Sequence, residues 1–324
     1  MFGTTDYYLY FCTPKRDDSA ITNTKLYTIR MWTKPWNFKE GFLIGGCLVI
    51  VGLLLQLSVG PVAWQAFAWP VNGIVLAVFL AVIALLFLWR KKVYAFQFLA
   101  TYQAAISAMA YAVVLTIVMG LTRQDANGTW LSNMLTFWPF VLIYVYVAVI
   151  LGLVTLRRLA HLSGWRRDIP FMLNHLGLFL AMTTATLGSA DMQRVKMITA
   201  VGEPEWRAIS ADGTVKEMPL HIELKKFIME TYDDGSPKRF ASEIKIQTKA
   251  GQTVEAVVDV NKPCEVNGWK IYQYGYDTQM GAESKMSILE LVSDPWLPLA
   301  YTGIYMMLGG AVCMFVLGGR RKRV

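Results

Sequence analysis

Arg166-Arg167-Asp168-Ile169-Pro170-Phe171-Met172-Leu173-Asn174-His175-Leu176-Gly177-Leu178-Phe179-Leu180-Ala181-Met182-Thr183-Thr184-Ala185-Thr186-Leu187-Gly188-Ser189-Ala190 is the stretch on which the fold turns. It is apolar for about the 20 residues a helix needs to cross a bilayer, and the paired arginines before it would hold its first end on the cytoplasmic side. It also carries the only histidine in any apolar stretch. Beyond residue 190 the chain turns polar and strand-like, before one last apolar segment near its end. The helix therefore joins a membrane part to an exported part.

Composition sets the solvent. Of 324 residues, 55% are hydrophobic and only 17% charged, more apolar and less charged than a globular domain. A multi-pass α-helical membrane protein follows. The formal net charge of +8 could suggest a nucleic-acid partner, but its distribution excludes that reading. Residues 191–294 hold 13 Lys+Arg against 17 Asp+Glu, which leaves 18 against 6 for the remainder. The basic excess belongs to the membrane part, where topology accounts for it.

Outward from the quoted helix, six spans are expected: about 42–59, 70–89, 98–121, 137–156, 171–190 and 296–317. Their connections alternate in charge. Gly60 to Trp69 has no Lys or Arg, the next loop holds Arg90, Lys91 and Lys92, and Arg123 stands alone in the third. Arg157, Arg158, Arg166 and Arg167 fill the fourth, and the chain ends Arg320-Arg321-Lys322-Arg323. Both termini and the basic loops are expected on the cytoplasmic side of the cell (inner) membrane. Four regions result: a cytoplasmic N-terminal segment (1–41), a five-span membrane domain (42–190), an exported antiparallel β-rich domain between the fifth and sixth spans (191–295), and a sixth span with a basic tail (296–324). Residues 1–41 are too long and polar for the leading region of a signal peptide.

Trp64, Trp69, Trp138 and Trp296 fall near outer span ends, and Trp36, Trp89 and Trp165 near inner ends, as an aromatic belt would. Gly45-Gly46 and Gly309-Gly310 are candidates for close helix approach. No Asp, Glu, Lys or Arg lies in the middle of a span, which argues against an ion-coupled transporter or proton pump. Gln56, Asn72, Gln103, Asn174 and His175 are the polar groups available there.

His175 has two readings from the residues. A helix that starts near Pro170 puts it about 8 Å along, shallow on the cytoplasmic side, where a neutral imidazole could ligate iron. The other reading is a hydrogen bond to a neighbouring helix. His161, in a basic loop, and His221, on an expected strand, read as surface groups. Three histidines this far apart cannot build a multi-histidine site, so a second axial ligand for haem would come from another chain. Cys12, Cys47, Cys264 and Cys313 form no C-x-x-C pair and no zinc pattern.

The exported region reads as β. Val215 to Tyr232, Phe240 to Thr248, Thr253 to Val260, Trp269 to Tyr274 and Ser287 to Val292 are expected strands, with turns at Asp234-Gly235, Lys249-Ala250-Gly251 and Asn267-Gly268. Strands this short imply a small antiparallel sandwich or barrel. No catalytic residue is legible in it: it has no Ser-His-Asp order, phosphate loop or metal-ligand cluster.

Longer runs carry a resemblance. Leu151-Gly152-Leu153-Val154-Thr155-Leu156-Arg157-Arg158 follows Trp138-Pro139-Phe140, and His175-Leu176-Gly177 precedes Gly188. Tyr232-Asp233-Asp234-Gly235-Ser236-Pro237-Lys238-Arg239-Phe240-Ala241-Ser242 and Val260-Asn261-Lys262-Pro263-Cys264-Glu265-Val266-Asn267-Gly268-Trp269-Lys270-Ile271-Tyr272-Gln273 complete the set. Together, over roughly residues 40–317, these resemble the ResB (CcsB) family of cytochrome c biogenesis proteins. The resemblance implies a subunit of a system II complex that carries haem outward and attaches it to apocytochrome c with a CcsA-type partner. It implies transient haem b, with His175 as one axial ligand of the iron. The tryptophan-rich W-x-W-D motif of the partner is absent, so the chain is expected to be the ResB half alone, non-catalytic or co-catalytic in haem attachment. Other classes are a membrane-anchored sensor or scaffold whose β domain binds a ligand or partner, and a small-molecule permease, which the apolar spans disfavour.

Overall fold

The computed structural model describes residues 32–125 and 128–318. Most of the expected N-terminal segment, Cys12 and the basic tail from Arg320 lie outside the described residues. Seven α-helices and eight strands follow in order. They are α1 (Phe38–Ser58), α2 (Val71–Trp89), α3 (Tyr94–Leu99), α4 (Tyr102–Leu121), α5 (Trp138–Ala160), α6 (Trp165–Gly188), then β1 to β8, and finally α7 (Leu297–Gly318). All but α3 are long and apolar enough to cross a membrane. Their outer faces agree: Leu121 is 82% and Phe315 85% exposed, which only an apolar solvent tolerates in such numbers. The chain is a membrane protein.

The first span starts earlier than expected, at Phe38, and the fourth ends later, at Ala160; two further shifts have a clear cause. The third span is broken at Ala100-Thr101 into the short α3 and the long α4, because Thr101 caps α4 by accepting from the Ala104 N–H at 3.4 Å. The fifth begins at Trp165 rather than near Pro170. The reason is Asp168, whose carboxylate reaches back to the Ser163 and Gly164 N–H groups at 2.8 and 2.7 Å and satisfies donors that would otherwise end the helix. Asp168 also binds Arg158 at 2.6 Å, fastening the start of α6 to the end of α5. Pro170 therefore lies inside the helix. His175 is ten residues from the helix start, about 15 Å along it instead of about 8 Å.

The helix pair α6/α7 is packed backbone to backbone. A Cβ on Gly177 would lie 2.7 Å from the Gly303 carbonyl oxygen, and one on Gly303 would lie 2.5 Å from that of Gly177. Gly310 abuts Asn174, whereas Gly309 faces open space, so only one of that expected pair serves a contact. In α1, Gly45 receives the Tyr111 ring. Small residues at such crossings let van der Waals contact replace the hydrophobic force that lipid does not supply.

The strands are β1 (Gln193–Ala200), β2 (Pro204–Ser210), β3 (Val215–Thr231), β4 (Pro237–Thr248), β5 (Thr253–Asp259), β6 (Cys264–Val266), β7 (Trp269–Tyr276) and β8 (Met286–Ser293). They form one antiparallel sheet in the order β5-β4-β3-β2-β1-β8-β7-β6. The sheet curls until its two ends meet. Ser242 on β4 donates to Ser287 on β8 at 2.7 Å, and Phe227 of β3 stacks on Tyr276 of β7 at 4.9 Å, although neither pair is adjacent in the sheet. Met197, Leu220, Ile222, Ile244, Ile271 and Leu289 are fully buried inside the curl. Gln273 satisfies Ser287 from the other side at 2.9 Å, so the buried polar groups are paired.

β1, β2 and β6 are additions to the expected strands. Arg194-Val195-Lys196-Met197 alternates with period two, so β1 carried a signal. Three residues of β6 carry none.

At the junction of helices and sheet stands Asp191. It accepts from the Trp69 N–H, the Asn72 side-chain amide and the Trp296 indole N–H, each at 2.7 Å. Gly188 lies directly under Trp296. Burial pushes the carboxyl pKa up, but these three donors outweigh it and hold it below the usual carboxylate range. A depressed native pKa adds stability that is complete above the unfolded value and lost as pH falls through the native one. Trp64 and Trp138 are likewise pinned, to the Leu135 and Gly60 carbonyls at 2.9 Å. Three of the belt tryptophans thus serve as hydrogen-bonded staples.

Two outcomes are expected. Gly303→Leu lowers the thermal midpoint of the purified protein sharply while Gly309→Leu leaves it within a degree or two; equal midpoints would contradict the α6/α7 seam. Asp191→Ala costs about 3 kcal/mol, the scale of orphaned donors to a charged acceptor, and flattens the acid limb of the stability profile, which a pH series of thermal melts measures.

Candidate functional site

His175 lines a groove of about 580 Å³ with Arg166, Arg167, Phe171, Asn174, Met314 and Leu317, between the first half of α6 and the last turns of α7. The helix period brings Arg167, Phe171 and Asn174/His175 to one face of α6. From α7, Met314 is placed there by the glycine seam. The two arginines stand at the basic end of the groove and the apolar side chains form its walls.

Among the described residues the imidazole makes no bond to another helix. Its Nδ1 lies 2.9 Å from the Phe171 carbonyl oxygen, one turn back on α6 itself. A carbonyl can only accept, so in the neutral ring Nδ1 is the donor and Nε2 is the nitrogen with the in-plane lone pair. The Phe171 ring stacks on the imidazole face, with centroids 3.8 Å apart and planes 14° off parallel. Stacking and the Nδ1 bond together restrain the ring orientation. This is the outer-sphere arrangement that readies a histidine for a metal: one nitrogen anchored to a carbonyl, the other free.

Asn174 behaves in the same way, bonding the Pro170 carbonyl at 2.8 Å. Gln56 accepts from the Trp138 N–H at 3.1 Å, and Asn72 serves the Asp191 joint. Ser107 donates to the Gln103 backbone at 2.9 Å. Among the described residues no group of three His, Cys, Asp or Glu side chains gathers that could hold a metal ion. His161 is exposed at the end of α5. His221 lies on β3 against Trp206, ring centroids 5.6 Å apart, remote from the helices in the chain's topology. Cys47, Cys264 and Cys313 are free thiols, and burial pushes that of Cys264 up.

Sequence reasoning found His175 and used Arg166 and Arg167 only as topology markers. Their spacing to Phe171 and His175 was the available signal. Nothing in the sequence could place Met314 or Leu317 beside residues some 140 positions earlier.

Residues 163–288, from the turn before α6 to the beginning of β8, match the profile of the ResB-like family. The chain is ResB/CcsB-like. Curated relatives called "Cytochrome c biogenesis protein CcsB" include one from Prochlorococcus marinus (strain NATL1A), 30% identical over 116 residues, 36% of this chain and 26% of that protein. Another is from Prochlorococcus marinus subsp. pastoris (strain CCMP1986 / NIES-2087 / MED4), 24% identical over 156 residues, 47% of this chain and 36% of that protein. The match to this ResB-like chain thus spans about a quarter to a third of the relatives' own length. Among solved structures, one titled "Cytochrome c Heme Lyase CcmF" aligns with a TM-score of 0.36 and 12% identity, over 86% of this chain and 46% of that one. A score this low decides neither fold nor function.

The tautomer is directly measurable. Nitrogen-15 NMR of the histidine-labelled protein is expected to give a protonated-type shift for Nδ1 and an unprotonated-type shift for Nε2 of His175 near neutral pH, and Phe171→Ala should loosen the ring. The opposite tautomer would remove the lone pair from the groove.

Proposed function

We propose that this chain is the ResB-like subunit of a system II cytochrome c synthesis complex. It helps to carry haem across the cell membrane and to deliver it, with a CcsA-type partner, to exported apocytochrome c. The observation that carries the reading is the ligand-ready Nε2 of His175 in a groove with apolar walls and two arginines at its end. Haem has matching parts: an iron that takes neutral imidazole, a flat apolar macrocycle, and two carboxylates that pair with guanidinium groups.

In this reading His175 would hold the iron, Phe171, Met314 and Leu317 would cover the porphyrin, and Arg166 and Arg167 would neutralise the propionates. The groove volume falls in the range of sites for cofactor-sized molecules. Bound haem supplies the iron and vinyl groups that thioether formation needs. The chain's own residues would orient it and exclude water from one face. A second axial ligand from another subunit suits a shared, transient site.

Topology supports the same assignment. The basic ends of α2, α5 and α6 gather at one end of the bundle, so the positive-inside rule puts them in the cytoplasm and the β domain on the exported side. Haem made in the cytoplasm would then meet the arginine end of the groove first. The β domain, with a net negative charge, stands where apocytochrome c arrives, and we assign it a docking role.

The test is the absorption spectrum of the chain purified with its CcsA-type partner. His175→Ala is expected to lose bound haem and to regain part of it when imidazole is added, because the small molecule refills the empty axial position. His221→Ala leaves the spectrum unaltered. Unchanged haem content in the His175→Ala complex would defeat the ligand assignment.

A further inference from the structure

The break between α3 and α4 has a chemical consequence beyond the haem groove. It leaves the Ala100 carbonyl without a helical partner, and Arg157 of α5 donates to it at 2.9 Å. Around this corner lie two adjoining cavities of about 510 and 450 Å³ that share Ala100, Thr101, Arg157 and His161. One is rimmed by Arg90 and Lys91. The other runs between Arg158 above and Ala105, Val154 and Phe171 below. Among the described residues no carboxylate lines either cavity. Asp168, the acidic group nearest in contact, is already paired with Arg158. Even so, Arg158 Nε is buried with no acceptor among the described residues. Arg90 is folded over the Phe87 ring at 3.5 Å, which holds its charge beside the apolar surface. The amino end of the twenty-residue helix α4 opens toward the same corner and adds its positive dipole end.

This is a basic hollow at one end of a membrane helix bundle with an apolar floor. A soluble anion would leave Ala105, Val154 and Phe171 uncovered. A molecule with an anionic head and hydrocarbon tails would satisfy both halves, as basic pockets between membrane helices do for acidic lipids. We propose that the α3–α4 corner binds the phosphodiester headgroup of an anionic phospholipid. Arg90, Lys91 and Arg157 hold the phosphate, and the acyl chains lie against Val154 and Phe171. The site adjoins the His175 groove through Phe171 but shares none of its charged groups, and it does not depend on haem being the ligand there.

The test uses the full-length chain in detergent after delipidation. Thermal midpoints and native mass spectra are recorded with phosphatidylglycerol, with phosphatidylcholine, and with water-soluble glycerophosphate at the same ionic strength. Phosphatidylglycerol alone is expected to raise the midpoint and to remain bound. The variant Arg90→Gln/Lys91→Gln/Arg157→Gln should bind it about a hundredfold more weakly, while Lys238→Gln/Lys245→Gln/Lys249→Gln, which removes three charges from the β domain, should bind as the parent does. Equal stabilisation of the parent chain by phosphatidylcholine would overturn the proposal even if the triple variant failed to fold. Equal binding of glycerophosphate would reassign the corner to a soluble anion and overturn it as well.

Discussion

The antiparallel contact between α6 and α7 is what the rest of the molecule depends on. At Gly177 and Gly303 the two backbones touch, and any side chain larger than hydrogen would force them apart. The same pair of segments then continues beyond the helices: α6 runs into β1 and α7 is fed by β8, and those strands are paired from Gln193–Ser293 to Ala200–Met286 without a break. One long hairpin therefore runs through helix and sheet alike. Asp191 ties α2 to it where helix becomes strand. Because the sheet curls around β1 and β8 and the His175 groove is cut between α6 and α7, the β domain and the candidate site hang on one continuous element.

Several polar side chains inside the apolar helices bond locally. Asn174, His175, Thr183, Thr184 and Ser107 each bond a carbonyl one turn back on their own helix. That choice matters most at His175. Because the one ring bond goes to the Phe171 carbonyl on the same helix, the orientation of the imidazole is set within α6 and not by a neighbouring helix. The groove is thus lined by a residue whose Nδ1 is satisfied within its own helix, beside Met314 and Leu317.

Six apolar helices and the β character of residues 191–295 were legible because each rests on composition or short-range periodicity. The helix start at Trp165 was not, because it depends on Asp168 reaching back to Ser163 and Gly164, a polar contact that hydropathy cannot register. The break at Ala100-Thr101 escaped for a similar reason: the apolar run is continuous, and only the Thr101 cap and the Arg157 bond to Ala100 reveal the corner. β1 was readable in Arg194-Val195-Lys196-Met197, but β6 was too short to stand out. The walls contributed by α7 could come only from tertiary structure, since nothing local at Met314 refers to residue 175.

Phe171 borders the His175 groove and also one of the two cavities at the α3–α4 corner. It lies 5.3 Å beneath the Arg158 guanidinium and stacks on the imidazole. A single aromatic ring thus forms part of the wall of both hollows, so any change of side chain at Phe171 reshapes the two compartments together.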